Sequence, residues 1–559
     1  MSTTATSTTL GSEELSPRRA WCTFAVVLFA SFMDMIDLGI VSVAVPSVQR
    51  SLHADYDTAQ WFVAAYALAF AVMLIPGGRL GDLYGRKRVF QIGVTGFTLT
   101  SAACALAPSA GALIAARFVQ GGFGALMVPQ VLAVLQVLFP AARRGPALAA
   151  YGTVLNLAQL SGPVLGGVLT TDNVFGLGWR AIFLVNVPVG ILVVAGTALL
   201  LPEYRSDRGA GLDPVGVLLV ALLSVLVIYP LQQGRAAGWP VWMIAALVAA
   251  LPTGLLFVRH QHRTGPAALV PPTLFRSRVF MAGIALLLLV YSGICAEQMI
   301  VIWETQVGLG WPALRTGEAT IGWVLGLGLL GGPVVGLAQR FGRRLLTAGC
   351  LVVAVGSAAL GRSMAHDDLR FWPLFGWLTV IGLGLGLVVP ILIDLVLSGI
   401  PRRDAGGGAG VANAVVYLSS AIGIGVIGLI FFGQVAAGGA AHARAEQPRL
   451  GAALRSAGVA PGPAAADGAA FDRCVHDRAD SLDPYRLPAD CLAGPAAEPL
   501  VARSVTTALR TDFGDAAGTG LWYPVAAFLV ALLLIRLLPP SSAPGAASDM
   551  EDGPGPARD

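Results

Sequence analysis

Residues 78–90 read GRLGDLYGRKRVF, a polar insert between two runs that are almost wholly apolar. One acid and four basic groups, Asp82 with Arg79, Arg86, Lys87 and Arg88, fall in a gap between segments that water would not tolerate. A tight hairpin on one face of a bilayer accounts for them: basic groups hold a short loop on the cytoplasmic side, and glycines let two helices approach closely. The rest of the chain agrees, since 55% of its 559 residues are hydrophobic and 12% charged, with a mean hydropathy of +0.73. That balance excludes an ordinary soluble domain. A span needs about 20 mostly apolar residues. About fourteen such runs recur, centred near residues 33, 67, 98, 124, 158, 191, 222, 250, 291, 327, 352, 383, 421 and 528.

Alternating the loops between two faces collects most of the arginines on one, including Arg18, Arg19, Arg143, Arg144, Arg205, Arg259, Arg343, Arg344, Arg402 and Arg403. The positive-inside rule makes that face cytoplasmic, and an even span count puts both termini there. The net charge of +4 thus reports topology and does not call for a nucleic-acid partner. No cleavable signal peptide is evident, because the run from Trp21 is too long and further spans follow. Of six cysteines, Cys22, Cys104, Cys295 and Cys350 read as small hydrophobes in or beside spans. Cys474 and Cys491 lie in a long loop, about 437–516, that this topology places outside, where a disulfide between them is compatible with an oxidising compartment. Stretches near 443–456 and 498–511 of that loop read as short amphipathic helices.

The chain also repeats itself weakly. LGDLYGRKR (80–88) is matched by LAQRFGRRL (337–345), and GGFGALMVP (121–129) by GLGLGLVVP (382–390). The matching spans are four and twelve, so the halves are offset by eight, and spans seven and eight become an insert. The expected organisation is a tail (1–20), a six-helix bundle (21–202), two inserted helices with linkers (203–278), a second six-helix bundle (279–538) and a second tail (539–559).

Five stretches in order carry a resemblance to a known group. GRLGDLYGRKR resembles the loop signature of the major facilitator superfamily, and Asp37 to Pro46, DLGIVSVAVP, the first-span motif of its fourteen-span drug:proton antiporters. Arg117-Phe-Val-Gln-Gly121 is similar to the fourth-span motif of that group, SGPVLGG (161–167) to its fifth-span antiporter motif, and WRAIFLVNVPVG (179–190) to its entry into span six. The resemblance implies an all-α membrane protein with the major-facilitator fold, fourteen spans arranged as two six-helix bundles plus two helices. It implies a bacterial inner-membrane antiporter that exports amphiphilic drugs or antibiotics against protons. A dedicated exporter or importer of one metabolite, such as a self-made antibiotic, and a transporter-like membrane sensor remain as alternatives.

Charges within spans are costly and default to functional candidates. The resemblance makes Asp37 with Arg117 the proton-coupling pair. Asp34, three residues from Asp37 on the same face, is either a second proton site or a ligand for a cationic substrate. For Asp82 the expectation is a latch onto the glycine-rich start of span thirteen, AGGGAGVAN (405–413), with Arg86 neutralising it and Gly78 and Gly85 permitting the tight hairpin. Gly162, Gly166 and Gly167 let a neighbouring helix approach, and Pro163 bends the span. A substrate cavity between the bundles is expected to draw on Glu297, Gln120, Gln159, Tyr66, Tyr291, Tyr417 and Asp394, with Trp61, Gln298 and Trp303 also placed for it. The six histidines form no metal spacing and no phosphate-cradling loop is present, so the reading is a monomeric carrier driven by protons, with no cofactor and no enzymatic constellation.

Overall fold

The computed structural model describes residues 16–139, 144–172, 176–203, 213–234, 237–265, 268–331, 341–366, 369–398, 405–480 and 498–536. Every regular element among them is helical. In chain order these are α1 (Pro17–Leu52), α2 (Tyr56–Tyr84), α3 (Arg86–Ala105), α4 (Ala110–Leu138), α5 (Arg144–Thr171), α6 (Asn186–Leu200, entered through the short turns Gly178–Arg180 and Ala181–Leu184), α7 (Pro214–Gln233) and α8 (Val241–Thr264). The second part of the chain continues with α9 (Arg278–Trp303), α10 (Ala313–Gly331), α11 (Arg343–Ala365), α12 (Phe371–Ser398), α13 (Ala405–Ser456), α14 (Pro461–Asp480), α15 (Glu498–Gly520) and α16 (Trp522–Ile535).

Eleven helices among the described residues are long and apolar enough to cross a membrane, so the chain is a multi-pass membrane protein. Leu199, Val241, Leu251 and Leu255 stand outward with most of their surface uncovered, as lipid-facing side chains do. The expected count of fourteen is not reached at α3, α5 and α10, and their residues say why. Arg86, Lys87 and Arg88 open α3; Asn156, Gln159, Pro163 and several glycines dilute α5; Arg315 and Glu318 sit in the first turns of α10.

The opening hairpin is built as its composition demands, with one shift of position. Gly85 ends α2 at φ +101°, a conformation that side chains with a Cβ resist, and a Cβ there would lie 2.3 Å from the Glu203 carboxylate. Glu203 accepts the Lys87 backbone N–H at 3.2 Å and lies 3.7 Å from Arg88 Nε, which ties the hairpin to the end of α6. The close helix approach falls at Gly77, where a Cβ would be 2.4 Å from the Ala125 carbonyl of α4. At Gly78, the expected position, the nearest atom would be a relaxed 3.7 Å away.

Helix packing repeats with the offset found in the sequence. In the first half α2 and α3 pack on α4, α1 packs on α5, and α6 packs on α1 and α3; in the second, α10 and α11 pack on α12, α9 on α13, and α16 on α9 and α11. The seam between the halves joins α2 to α13 and α5 to α10. The helices α7 and α8 pack on each other, and α7 also rests on α2 and α13, with Gln232 donating to the Ala421 carbonyl at 3.3 Å.

The described residues of the loop expected at 437–516 form a helical domain, in which the stretches expected as short helices at 443–456 and 498–511 are the extension of α13 and part of α15. At about 1.5 Å per residue, a hydrocarbon core of about 30 Å accommodates only about 20 residues. The 52-residue α13 therefore runs on past its apolar stretch, and from about residue 437 it lies beyond the bilayer. Its extension packs with α14 and α15 around Leu450, Leu454, Phe471, Val475, Val501 and Val505. Cys474 is buried there and disulfide-bonded; Cys491, the expected partner, lies outside the described residues.

His442 clasps this extension to α15: Asp512 lies 3.1 Å from Nδ1 and Asp515 2.9 Å from Nε2. The Asp512 carboxylate foremost, and Asp515 after it, push the imidazole from about 6.5 up to about 9. A raised folded-state value means that the stabilisation is complete below about pH 6.5 and is lost as pH rises through about 9. The protection factors of the α15 amides, exchange rates corrected for the intrinsic rise with pH, are expected to fall across that window in the native chain and to lose this dependence in His442→Gln. Protection factors that do not change with pH in either protein refute the clasp.

Candidate functional site

Five helices of the first half converge on one buried ion pair. Arg117 Nη1 of α4 meets Asp37 Oδ2 of α1 at 2.5 Å, and both side chains are fully enclosed. Asn186, at the start of α6, donates to Asp37 Oδ1 at 2.8 Å, and the Gln120 amide reaches the same oxygen at 3.3 Å. Gln120 Oε1 in turn accepts from Arg117 Nη1 at 2.7 Å. Ser101 of α3 accepts from both amides at 3.1 Å and donates to the Phe183 carbonyl. Arg117 Nε donates to the Phe62 carbonyl of α2 at 3.0 Å. A charge pair out of water is tolerable only with its remaining valences satisfied, and here a single donor, Arg117 Nη2, is left without a partner. The guanidinium lies 4.4 Å above the Tyr66 ring, a cation–π contact.

Asp34, one turn along α1, is equally enclosed but faces elsewhere. The Tyr66 hydroxyl of α2 donates to its Oδ1, and the Tyr417 hydroxyl of α13 donates to its Oδ2 at 3.4 Å. The Tyr417 ring stacks on Phe70 of α2 with centroids 3.8 Å apart. Asp34 thus accepts hydrogen bonds from both halves. Tyr66 links the two acids, its hydroxyl on Asp34 and its ring under the cation that holds Asp37.

The antiporter glycines form seams. A Cβ on Gly162 would come within 3.1 Å of Gly39 of α1, one on Gly166 within 2.8 Å of the Ile40 carbonyl, and one on Gly167 within 2.5 Å of Leu314 of α10. The Pro163 carbonyl faces Gly317 of α10, where an added Cβ would be 2.5 Å away. Further contacts between the halves gather toward the end that carries the helical domain. Gln306 donates to the Val43 carbonyl at 2.8 Å, Tyr56 stacks on Phe432 at 4.1 Å, and Trp303 packs edge-on against both rings. Asp82 lies at the arginine-rich end. Its partner among the described residues is Arg86, at 3.0 Å, which also donates to the Ala133 carbonyl of α4.

The residues expected in a shared cavity fall in several places. Gln120 belongs to the Asp37 network, Tyr66 and Tyr417 clasp Asp34, and Trp303 is in the aromatic seam. Glu297 is enclosed within the second half, where Ser357 of α11 donates to Oε2 at 3.0 Å. Tyr291 is partly buried on α9, and Gln298 donates to Ser42 at 3.5 Å across the seam. Trp61 lines a crevice of about 420 Å³ with Phe118, Val119 and Tyr229, between α2, α4 and α7. The side chains of Gln159 and Asp394 lie outside the described residues. Sequence reasoning passed over Ser101, Asn186 and Ser357; a polar residue within each apolar run was the available clue. Among the described residues no group of three or more His, Cys, Asp or Glu side chains is placed to hold a metal.

Two helical halves packed around buried acids in apolar helices fit a membrane carrier. The family model of the Major Facilitator Superfamily matches residues 27–424, and the chain belongs to that superfamily, whose members are carriers and not enzymes. It is 35% identical to a Streptomyces coelicolor protein described as a probable actinorhodin transporter, over 93% of this chain and 92% of that one. It is 31% identical to a tetracenomycin C resistance and export protein of Streptomyces glaucescens, over 75% of this chain and 77% of the other. In fold it is similar to the crystal structure of a bacterial homologue of the human lysosomal transporter Spinster, with a TM-score of 0.57 at 15% identity, covering 93% of this chain and 98% of that one.

Proposed function

We propose that the protein is a proton-coupled antiporter that exports amphiphilic drugs or antibiotics across the bacterial inner membrane by alternating access. In this reading α3, α5 and α10 complete fourteen spans, α7 and α8 are inserted between two six-helix bundles, and both termini face the cytoplasm. The observation that carries it is Asp34 held at once by Tyr66 of the first half and Tyr417 of the second. A carboxylate accepts both hydroxyls; once protonated it loses the charge that strengthens them, and the contact across the seam weakens. Proton uptake and parting of the halves then become one event. Asp37 with Arg117 is the proton-coupling pair beside it, and Tyr66, bonded to Asp34 and stacked on the guanidinium, carries a change at one acid to the other.

With the helical domain outside, the aromatic and Gln306 contacts close the outer end, and the packing of Gly167 and Gly317 across α5 and α10 supports the same seal. Asp82, bonded to Arg86 within its own hairpin, is then free to engage α13 in the opposite state. Each entering proton supplies about 2.3 kcal/mol per 100 mV of membrane potential. No cofactor is required, and the reading takes the carrier as a monomer with a small, amphiphilic and preferentially cationic substrate. Cells expressing the protein are expected to accumulate less of a fluorescent lipophilic cation such as ethidium, and an uncoupler is expected to erase the difference. Export that persists with the proton gradient collapsed would sink the proposal.

A further inference from the structure

We propose that Glu297 is a second proton-carrying acid, housed in the second half, so that the carrier exchanges more than one proton per cycle. The inference rests on the antiport reading above but on a different site.

The two halves place an acid on their first helix facing the third. In the first half Asp37 of α1 is joined to Ser101 of α3 through shared amides; in the second, Glu297 of α9 accepts directly from Ser357 of α11 at 3.0 Å. What differs is the fourth helix. Aligning Pro129 of α4 with Pro390 of α12 puts Leu378 where α4 has Arg117 and Ile381 where it has Gln120, and both apolar side chains are buried. The second half therefore keeps the acid and loses its cation.

Glu297 is 1% exposed, and its Oε1 has no hydrogen-bond partner among the described residues. No charged side chain among the described residues of the packed helices lies against it. Of the titratable groups there, Tyr523 of α16 donates to Ser292, Tyr417 of α13 donates to Asp34, and Cys350 of α11 is a free, buried thiol. Asp394 of α12 lies outside the described residues. A carboxylate in such a place faces a desolvation cost of several kcal/mol with no counter-charge to offset it, whereas a neutral acid uses Ser357 on one oxygen and needs nothing further. Charge can form at Glu297 only when water reaches it. The next residue, Gln298, bonds Ser42 across the seam, so the helix that carries the acid also carries a contact that alternating access must break. Release and rebinding of a proton at Glu297 are thereby tied to the opening of the halves.

The first test uses the unaltered chain in its membrane. Dicyclohexylcarbodiimide modifies protonated carboxyls in apolar surroundings. Peptide mapping is expected to find Glu297 modified at neutral pH and protected at strongly alkaline pH, with Asp37, paired to Arg117, unmodified throughout. Glu297 unmodified at neutral pH overturns the proposal. The second test measures the ethidium gradient that proteoliposomes of the full chain sustain across one pH unit, with the electrical potential clamped at zero. Each exchanged proton contributes a factor of ten, so E297Q is expected to lower the sustained ratio from about 100-fold to about 10-fold. A ratio unchanged by E297Q also overturns it. If E297Q does not fold, the labelling decides. If the unaltered chain builds no ethidium gradient, the export reading fails for that probe while the labelling still judges Glu297.

Discussion

Arg117→Ala is expected to destabilise the protein by about 3–5 kcal/mol, the cost of stranding one member of a buried ion pair, and to abolish export. The variant leaves Asp37 enclosed with Asn186 and Gln120 but no cation, and removes the guanidinium from above Tyr66. Thermal unfolding in detergent and ethidium efflux in cells measure the two effects. Neutralising both partners separates coupling from scaffolding, since paired apolar or amide replacements of an ion pair are often close to neutral in stability. Asp37→Asn with Arg117→Gln is expected to recover most of the lost stability and none of the proton-driven export. Recovery of both would reduce the pair to a structural brace.

Asp34→Asn is expected to lower export on the order of tenfold to a hundredfold with little loss of folded protein. The range follows from the loss of one hydrogen bond to a charged acceptor, worth about 1.5–3 kcal/mol, with a factor of ten for about 1.4 kcal/mol. An amide fits the space and still accepts one hydroxyl, so the first half should remain packed. Its bond to the second half then no longer responds to protons. Tyr417→Phe supplies the complementary measurement: the ring keeps its place on Phe70 while the bond across the seam is lost. Full export in Tyr417→Phe would show that the clasp does not couple the halves.

Much of the fold is legible in the sequence because its causes are local. Apolar run length requires a bilayer, Gly85 requires a turn with positive φ, and the recurrence of GRKR as GRRL announces the repeat that the packing obeys. The domain beyond the bilayer was harder to read. Two of its helices are legible as amphipathic stretches, but its core of Leu450, Phe471, Val501 and a few neighbours comes from three separated segments, so no single stretch shows that they pack together. The partner of Asp82 in the opposite state is not legible for a related reason: a motif names an acid without telling which conformation brings it to a partner.

The candidate site divides in the same way. Sequence alone determined that acids and one arginine are buried in apolar helices, because a charge among apolar neighbours is visible in the letters themselves, and it determined that Asp34 and Asp37 share roughly one face of α1. Only the tertiary structure decided that they serve different neighbours. At about 100° per residue, an interval of three leaves the two side chains about 60° apart, enough to turn Asp37 into the first half and Asp34 onto the seam. The hydroxyl that meets Asp34 there comes from a residue 383 positions away, and no local pattern encodes a meeting that depends on how two whole halves pack.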